Sequence, residues 1–295
     1  MADQAEFEQH RRHLHAVAYR ITGSVVDADD AVQDAWLRWN ALADGTADNP
    51  RAYLTTTVSR LCYDQLTSAR ARRERYVGPW LPEPLLAAPA ADGPEERATL
   101  DESVSTAMLT VLESLTPAER VAFVLHDVFG VPFPEIAEAL DKSPASVRQS
   151  ASQARKHVRD AKPRRSVARA EHRRAVETFL AAVTGGGGID DLLSVLDPQV
   201  VWRSDGGGIV SAARRPIVGA AKVAAFAQGI ARFFDPSTMR LIPYEVNGAP
   251  GLVMDARPIG YGGVLSFTVG EDGLITGIDL VVNPEKLGHL DFDVL

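Results

Sequence analysis

The chain has 295 residues, 45% of them hydrophobic, which is enough for two or three domains with packed cores. It has no run of about 18 apolar residues and no apolar signal-peptide segment at its start, so we expect a cytoplasmic protein without a membrane span. The single cysteine, Cys62, excludes an internal disulfide and fits a reducing compartment.

The net charge of −8 argues against a nucleic-acid partner until its distribution is considered. Segment 142–174 holds eleven Lys and Arg residues against only Asp160 and Glu171, a net charge of +9, so the remainder of the chain carries −17. A basic stripe on an acidic chain is typical of a DNA reader that also binds other proteins.

Residues from Phe7 to Ala69 show helical periodicity throughout. Three carboxylates, Asp27, Asp30 and Asp34, lie on a different helical face from Trp36. Taken alone, this acidic face is that of an ordinary solvated helix.

A further helix begins at Asn49-Pro50 and has a basic flank that carries an aromatic residue. Bases from a melted strand stack on aromatic side chains while arginines follow the phosphates, so this flank has the chemistry of a single-strand binder. The candidate residues are Arg60, Tyr63, Asp64, Arg70, Arg72 and Arg73. The simpler interpretation, a charged helix end, stays open.

Five prolines between Gly78 and Pro94 exclude a helix and favour an extended linker. Within it, the segment Trp80-Leu81-Pro82-Glu83-Pro84 is too apolar for an idle tether. A tryptophan in a stiff segment predicts docking to another surface.

The segment from Thr116 to Asp160 predicts three short helices in a helix-turn-helix arrangement. Thr116, with Pro117 next and Glu119 three residues later, forms a capping-box start. Val121, Val124, Leu125 and Val128 then give the first helix one apolar face, and Gly130 ends it. Ser143-Pro144 starts the third helix.

The third helix has a narrow apolar face, Val147, Ala151, Ala154 and Val158, suited to packing on the first two helices. Its other face carries Arg and Gln, which read guanine and adenine edges, and Lys and Ser, which meet phosphates. The candidate DNA contacts are Ser146, Arg148, Gln149, Ser152, Gln153, Arg155 and Lys156. The alternative is an ordinary helical bundle with a solvated basic face.

Beyond the basic stripe, helices give way to a strand pattern that predicts a C-terminal α+β domain. A strand at Val200–Trp202 and a helix at Gly219–Phe234 are followed by an antiparallel meander. The predicted strands of the meander are Met239–Val246, Leu252–Arg257, Val264–Val269 and Leu274–Val282.

The run Asp205-Gly206-Gly207-Gly208 directly follows the first of these strands, and its glycines permit close approach of another chain. We interpret it as a binding or docking element, with a plain turn as the alternative. A third interpretation makes Asp205 a general base beside an apolar pocket. That pocket would be lined by Trp202, Phe226, Tyr244, Met254 and Phe267.

Three histidines, His10, His13 and His15, cluster near the start of the chain, but His15 lies off the helical face of the other two. A zinc site needs three or four converging ligands, so we expect a solvated helix end. We therefore predict neither a metal nor a cofactor.

Together these elements resemble the extracytoplasmic-function sigma factors, in the group that carries a fused SnoaL-like C-terminal domain. The resemblance implies a multidomain protein: two all-α domains, sigma-2 and a sigma-4 helix-turn-helix, and an α+β domain shaped as a cone-like barrel. The corresponding boundaries are 1–78, a linker at 79–107, 108–164 and 165–295. The resemblance rests on close forms of three family signatures. They are Trp80 to Pro84, Asp205 to Gly208, and Asn283-Pro284-Glu285-Lys286-Leu287.

The resemblance implies a non-enzymatic specificity subunit whose partners are core RNA polymerase and promoter DNA. Asp27, Asp30, Asp34 and Trp36 would contact the polymerase. The helix from Asn49 would hold the melted −10 element, and the third helix of the helix-turn-helix would read the −35 element. The C-terminal domain would regulate the protein in cis, with an unidentified small ligand as a candidate occupant.

One position departs from the family pattern, because Ile209 stands where a lysine usually ends the glycine run. We therefore expect docking of the linker to depend more on apolar contact with Trp80 than on charge, with Lys286 as the candidate substitute. Two other functions stay open: a ligand-sensing one-component helix-turn-helix regulator, and an enzyme with SnoaL-like acid-base chemistry.

Overall fold

The computed structural model describes residues 4–42, 47–73, 76–87, 105–161, 167–185, 188–232, 235 and 237–292. The chain divides into two compact units, Met1–Arg75 with Val111–Lys162, and Tyr76–Thr110 with Pro163–Leu295. None of the helices described has the length and hydropathy of a membrane-spanning segment.

The first unit begins with three packed helices, α1 (Gln4–Thr22), α2 (Val25–Asn40) and α3 (Pro50–Arg73). The predicted continuous helical region is broken after α1, where Gly23 takes a left-handed φ of 70°. Ser24 then caps α2 by accepting a hydrogen bond from the backbone N–H of Asp27. Leu14, Ile21 and Leu54 are among the fully buried side chains of this part.

The same unit continues with α5 (Pro117–Phe123), α6 (Phe133–Leu140) and α7 (Pro144–Asp160), preceded by α4 (Thr106–Glu113), which crosses the division between the units. The predicted capping box is confirmed: the Glu119 carboxylate accepts from the Thr116 N–H at 2.9 Å, and Thr116 Oγ1 accepts from the Glu119 N–H. Asp141, at φ 50°, turns the chain between α6 and α7.

The prediction that Val128 faces inward is wrong. A π-helical turn at Val124–Val128 follows α5, and its wider winding rotates the end of the helix. Val128 is therefore 44% exposed, whereas Val121, Val124 and Leu125 are buried as predicted.

Arg120, which is 2% exposed, joins the two groups of helices in this unit. Its guanidinium donates to both carboxylate oxygens of Glu113, at 2.8 and 3.0 Å, and to the backbone carbonyl of Ile21 at 3.2 Å. This buried, bidentate ion pair joins α5 to α4 through two charge-assisted hydrogen bonds.

The second unit is built on one seven-stranded sheet with the order β1-β4-β5-β6-β7-β2-β3. All neighbours are antiparallel except β2 and β7. The strands are β1 (Leu86–Ala87), β2 (Leu196–Asp205), β3 (Ile217–Val218), β4 (Arg240–Val246), β5 (Ala249–Ala256), β6 (Tyr261–Val269) and β7 (Ile275–Val281). The predicted α+β meander is confirmed.

The expected closed barrel is wrong, because the sheet of the described residues is open. Its edge strands β1 and β3 are only two residues long, and no bond links them to each other. Closure requires pairing along both edges, which such short strands do not supply.

The described residues of this unit also form α8 (Arg169–Thr184), α9 (Ile189–Val195), α10 (Ala220–Ala231) and the short α11 (Pro284–Leu287). A 3₁₀ turn, Arg257–Ile259, links β5 to β6. Phe179 and Phe267, with ring centres 5.2 Å apart, pack edge to face in the core between α8 and the sheet.

Candidate nucleic-acid interface and linker-docking site

Helix α7 has the two faces predicted for a DNA-reading helix. Val147, Ala151 and Ala154 are fully buried against the other helices of the unit. The opposite face is solvent-accessible. Arg148, Gln149, Ser152, Gln153 and Lys156 are exposed, and Ser146 and Arg155 are half-buried. The surface therefore presents amide, hydroxyl and cationic groups together, as major-groove recognition requires.

Two arginines of α7 already have partners in the protein. Arg155 donates its Nε to the Asp127 carboxylate at 2.7 Å, and the guanidinium of Arg148 lies 5.8 Å from the centre of the Phe133 ring. Asp127 belongs to the π-helical turn, so that turn holds the Arg155 side chain of α7. Arg155 must break or share this ion pair to reach DNA, whereas Arg148 is held only by a cation–π contact.

On α3, Arg60 and Asp64 are exposed and Tyr63 is half-buried, so all three are accessible to a strand. The side chains of Arg70, Arg72 and Arg73 lie outside the described residues.

On α2, Asp30 and Asp34 are exposed, as an acidic docking face requires, while Asp27 is half-buried in the first turn of the helix. Trp36 packs on Phe7 with ring centres 5.1 Å apart. The sequence interpretation missed Leu37, which is 58% exposed and lies on the same side of α2 as Asp30. This face of α2 therefore presents both carboxylates and an apolar side chain to solvent.

The carboxylate of Asp205 is the centre of the second site, which lies wholly within the second unit. Asp205 ends β2 and is 0% exposed. One oxygen accepts from the Leu81 N–H and from Lys286 Nζ, both at 2.8 Å. The other accepts from the Tyr76 hydroxyl at 2.5 Å and the Gly207 N–H at 3.2 Å. With four donors around it, this carboxylate is satisfied and is not available as a general base.

Lys286, which is 4% exposed, supplies the charge that balances Asp205. Its ammonium group also donates to the Leu81 carbonyl and lies 3.4 Å from the centre of the Trp80 ring. The expectation of a mainly apolar contact is therefore wrong. Ile209 is 57% exposed, and the cation of the site is supplied instead by Lys286 on α11, which follows β7.

Tyr76 completes the network and was not found from the sequence. Its hydroxyl donates to Asp205 and accepts from the Asn283 side-chain amide at 2.8 Å, and its ring lies 4.6 Å from that of Trp80. Burial, and then the bond to Asp205, hold the pKa of Tyr76 well above its usual value. In the sequence, only its position four residues before Trp80 could have indicated that Tyr76 belongs to this network.

The glycines after Asp205 are required by the packing of this site. A Cβ on Gly207, at φ 63°, would lie 2.5 Å from the side-chain nitrogen of Asn283. A Cβ on Gly208, at φ 75°, would lie 3.2 Å from the Cβ of Val77. Left-handed backbone and close approach therefore explain why this run is glycine.

Residues 76–87, which are the three residues before the predicted linker and its first nine, are called the linker from here on, and they follow the sheet beyond this network. Leu81 is fully buried with Val246, Val264, Val281 and Leu287. Leu85 exchanges two hydrogen bonds with Asn247, and β1 pairs with β4. Pro82, Glu83 and Pro84 are buried, while Pro284 and Glu285 are exposed. The predicted docking of the Trp80 segment thus has a physical basis in apolar burial and strand pairing.

The structure does not support the alternative in which Asp205 is a general base beside an apolar pocket. The aromatic residues beside β2 pack together, with Trp202 and Phe226 at 5.4 Å, and leave an apolar cavity of about 40 Å³ from which Asp205 is absent. His13 hydrogen-bonds Thr55 and His15 pairs with Asp29. Within the described part of the chain, no group of three His, Cys, Asp or Glu residues could hold a metal.

Two family models match the first unit: Sigma-70 region 2 over residues 7–72, and Sigma-70, region 4 over residues 105–158. The ECF RNA polymerase sigma factor SigJ of Mycobacterium tuberculosis H37Rv is 41% identical over 96% of this chain and 92% of its own length. The probable ECF RNA polymerase sigma factor SigI of M. tuberculosis CDC 1551 is 35% identical over 97% and 95%.

A crystal structure of M. tuberculosis SigJ superposes with a TM-score of 0.76 at 37% identity, covering 97% of this chain and 98% of that one. The match extends over both units, so the C-terminal sheet is part of the likeness. The chain therefore belongs to the ECF RNA polymerase sigma factors.

Proposed function

We propose that this sigma factor binds core RNA polymerase through the acidic and apolar face of α2, and that docking of its linker on the C-terminal sheet regulates it in cis. Sigma factors are transcription initiation factors, so the chain is an alternative sigma factor and not an enzyme.

For promoter DNA, α7 is assigned to the −35 element and α3 to the −10 element. Support for α7 comes from its exposed Arg148 and Gln149 opposite a fully buried small-residue face. Support for α3 comes from the accessible Arg60 and Tyr63. The one-component regulator is not favoured, because region 2 is present and such a regulator has no use for a strand-melting domain.

The observation that carries the regulatory proposal is the buried pair of Asp205 and Lys286, which clasps both backbone groups of Leu81. Linker residues held on the sheet cannot enter another binding site. Undocking exposes Leu81 and leaves two buried charges without linker partners. In the free protein the docked state is therefore lower in free energy than the undocked state. Polymerase binds the undocked state and shifts the population toward it.

The C-terminal domain is proposed to be of the SnoaL-like type, with an open sheet. The apolar cavity of about 40 Å³ is the place for the small ligand suggested by that likeness. It is lined by core residues such as Phe179, Trp202 and Met254, so an occupant would be apolar and smaller than a drug-sized molecule.

Run-off transcription with core RNA polymerase tests the regulation. The chains compared are full-length protein, protein ending at Val282, and Lys286→Met, with the exposed Lys222→Met as the matched control. We expect more transcript per bound sigma factor from the truncated chain and from Lys286→Met, and no change from the control. Equal transcript from all four, with hydrogen exchange showing the linker released in the two altered chains, would overturn the proposal.

A further inference from the structure

A polar pocket of about 280 Å³ lies beside the docked linker in the second unit. Its walls are the linker turn Val77-Gly78 and the loop from Gly206 to Arg214 that follows β2. This volume is close to the lower end, roughly 300 Å³, of pockets that hold small molecules. The pocket is separate from the apolar cavity in the core and shares no lining residue with it.

The charge of the pocket is positive. Arg214 is the one charged residue among the lining residues that the structure describes, and no carboxylate lines the pocket with it. A guanidinium combines a positive charge with five N–H donors in one planar group. Nothing in the described part of the chain forms an ion pair with Arg214.

The pocket also has unused hydrogen-bond donors. Ser211, Ala212 and Ala213 line it in succession, and no described residue accepts from their backbone N–H groups. By contrast, the N–H groups of Ile209 and Val210 are both used by the Gly206 carbonyl. Spare donors next to a fixed cation provide the chemistry that an oxyanion needs.

Small residues keep this space open. A Cβ on Gly206 would meet the Val210 carbonyl at 2.3 Å, and one on Gly208 would press on Val77. The opposite wall is also glycine: Gly78, at φ 89°, would place a Cβ 3.8 Å from the Cα of Arg214. Larger side chains on either wall would fill or distort the pocket.

We propose that this pocket binds a small oxyanion, the phosphate or carboxylate group of a small polar molecule, with Arg214 as its counter-charge. Because one wall is the linker turn, the bound anion contacts linker and loop together and holds the linker docked. This second step rests on the proposed function, whereas the binding itself does not.

The test uses ¹⁵N NMR of the full chain with inorganic phosphate and acetate as probes, and with chloride at matched ionic strength. We expect saturable shifts of the Gly208 and Ser211 to Arg214 amides with at least one probe and not with chloride. Arg214→Ala should abolish them. Arg215→Ala, which removes an exposed neighbouring arginine outside the pocket, should leave them intact.

Phosphate and acetate are compared in separate arms, so the response also identifies which oxyanion is preferred. Shifts no larger than those in chloride, or equal responses from the Arg214→Ala and Arg215→Ala proteins, would overturn the site.

In the same samples, the Leu81 N–H should exchange more slowly when the probe is bound, because that group donates to Asp205 only while the linker is docked. Saturable binding with unchanged Leu81 exchange would overturn the coupling alone. Run-off transcription by the truncated chain would still test the regulation independently.

Discussion

Lys286 and Asp205, 81 residues apart in the chain, form a buried ion pair with 2.8 Å between Nζ and Oδ2. The pair is not isolated, since Tyr76, Trp80 and Leu81 of the linker and Gly207 of the glycine run all contact it. A buried charge without its partner is unfavourable in free energy. Docking of the linker therefore depends on both the end of β2, which carries Asp205, and α11, which carries Lys286.

Replacing Lys286 by Met should therefore destabilise the second unit. Removal of one partner from a buried pair costs about 3 kcal/mol, even though Asp205 keeps its other donors. Urea unfolding of the full chain, with hydrogen exchange of the Leu81 amide, measures the change. The control Lys222→Met, on the exposed side of α10, should leave the free energy of unfolding and the Leu81 exchange rate unchanged. An equal loss of stability in the two variants would contradict the role given to Lys286.

Promoter reading by α7 predicts two different effects. Arg148→Ala should lose about 1–3 kcal/mol of discrimination at one base pair, because a bidentate contact to a base edge is removed. Lys156→Ala should weaken binding to all sequences alike and lower the salt dependence by about one phosphate contact. Binding of the sigma factor to a set of −35 variants at several salt concentrations measures both. If Arg148→Ala weakens every variant equally, Arg148 does not read a base.

Polymerase docking by α2 predicts that charge reversal reduces assembly. In the double variant Asp30→Lys and Asp34→Lys, the face presents cations to a basic partner, and pull-down of core RNA polymerase should fall several-fold. Both residues are exposed, so the circular dichroism spectrum should not change. A control with the same charge change is Glu177→Lys with Glu271→Lys, on exposed positions of the sheet unit. Assembly unchanged by the α2 variant would return this face to a solvated role.

Burial lowers the pKa of His172, on α8, to about 4, from an ordinary 6.5. The neutral ring is favoured in the folded state, so its contribution to stability is complete above pH 6.5 and is lost as the pH falls toward 4. The loss should be about 3 kcal/mol over this window. Urea unfolding of wild type and His172→Gln at several pH values measures it.

In His172→Gln this part of the acid sensitivity should vanish. The exposed His157→Gln should behave as wild type. Parallel pH profiles for wild type and His172→Gln would show that the buried ring does not contribute.

The helices and strands could be predicted because their patterns are local. Thr116 and Glu119 cap α5 from three residues apart, and the burial of Val147, Ala151 and Ala154 follows from helical spacing alone. The meander likewise follows from alternation and from turns such as Asn247-Gly248.

What the sequence interpretation missed depends on distant contacts. Tyr76 meets Asp205 across 129 residues, and no periodicity links them. Lys286 is the candidate substitute for the missing lysine, but only the fold brings its Nζ within 2.8 Å of Asp205. Val128 turned outward because a π-helical turn breaks the spacing on which the prediction relied. Closure of the sheet depends on edge lengths that residue patterns do not specify.

The two-residue pairing of β1 with β4 has a consequence for the life of the released protein. Strand β4 is otherwise the outermost strand on that side, and a bare strand edge invites pairing with another chain. Undocking the linker strips away this cover and also uncovers the apolar groove that held Leu81. When the linker is undocked and no polymerase is bound, the sigma factor should therefore self-associate. The risk of aggregation should increase with the concentration of the sigma factor in the cell.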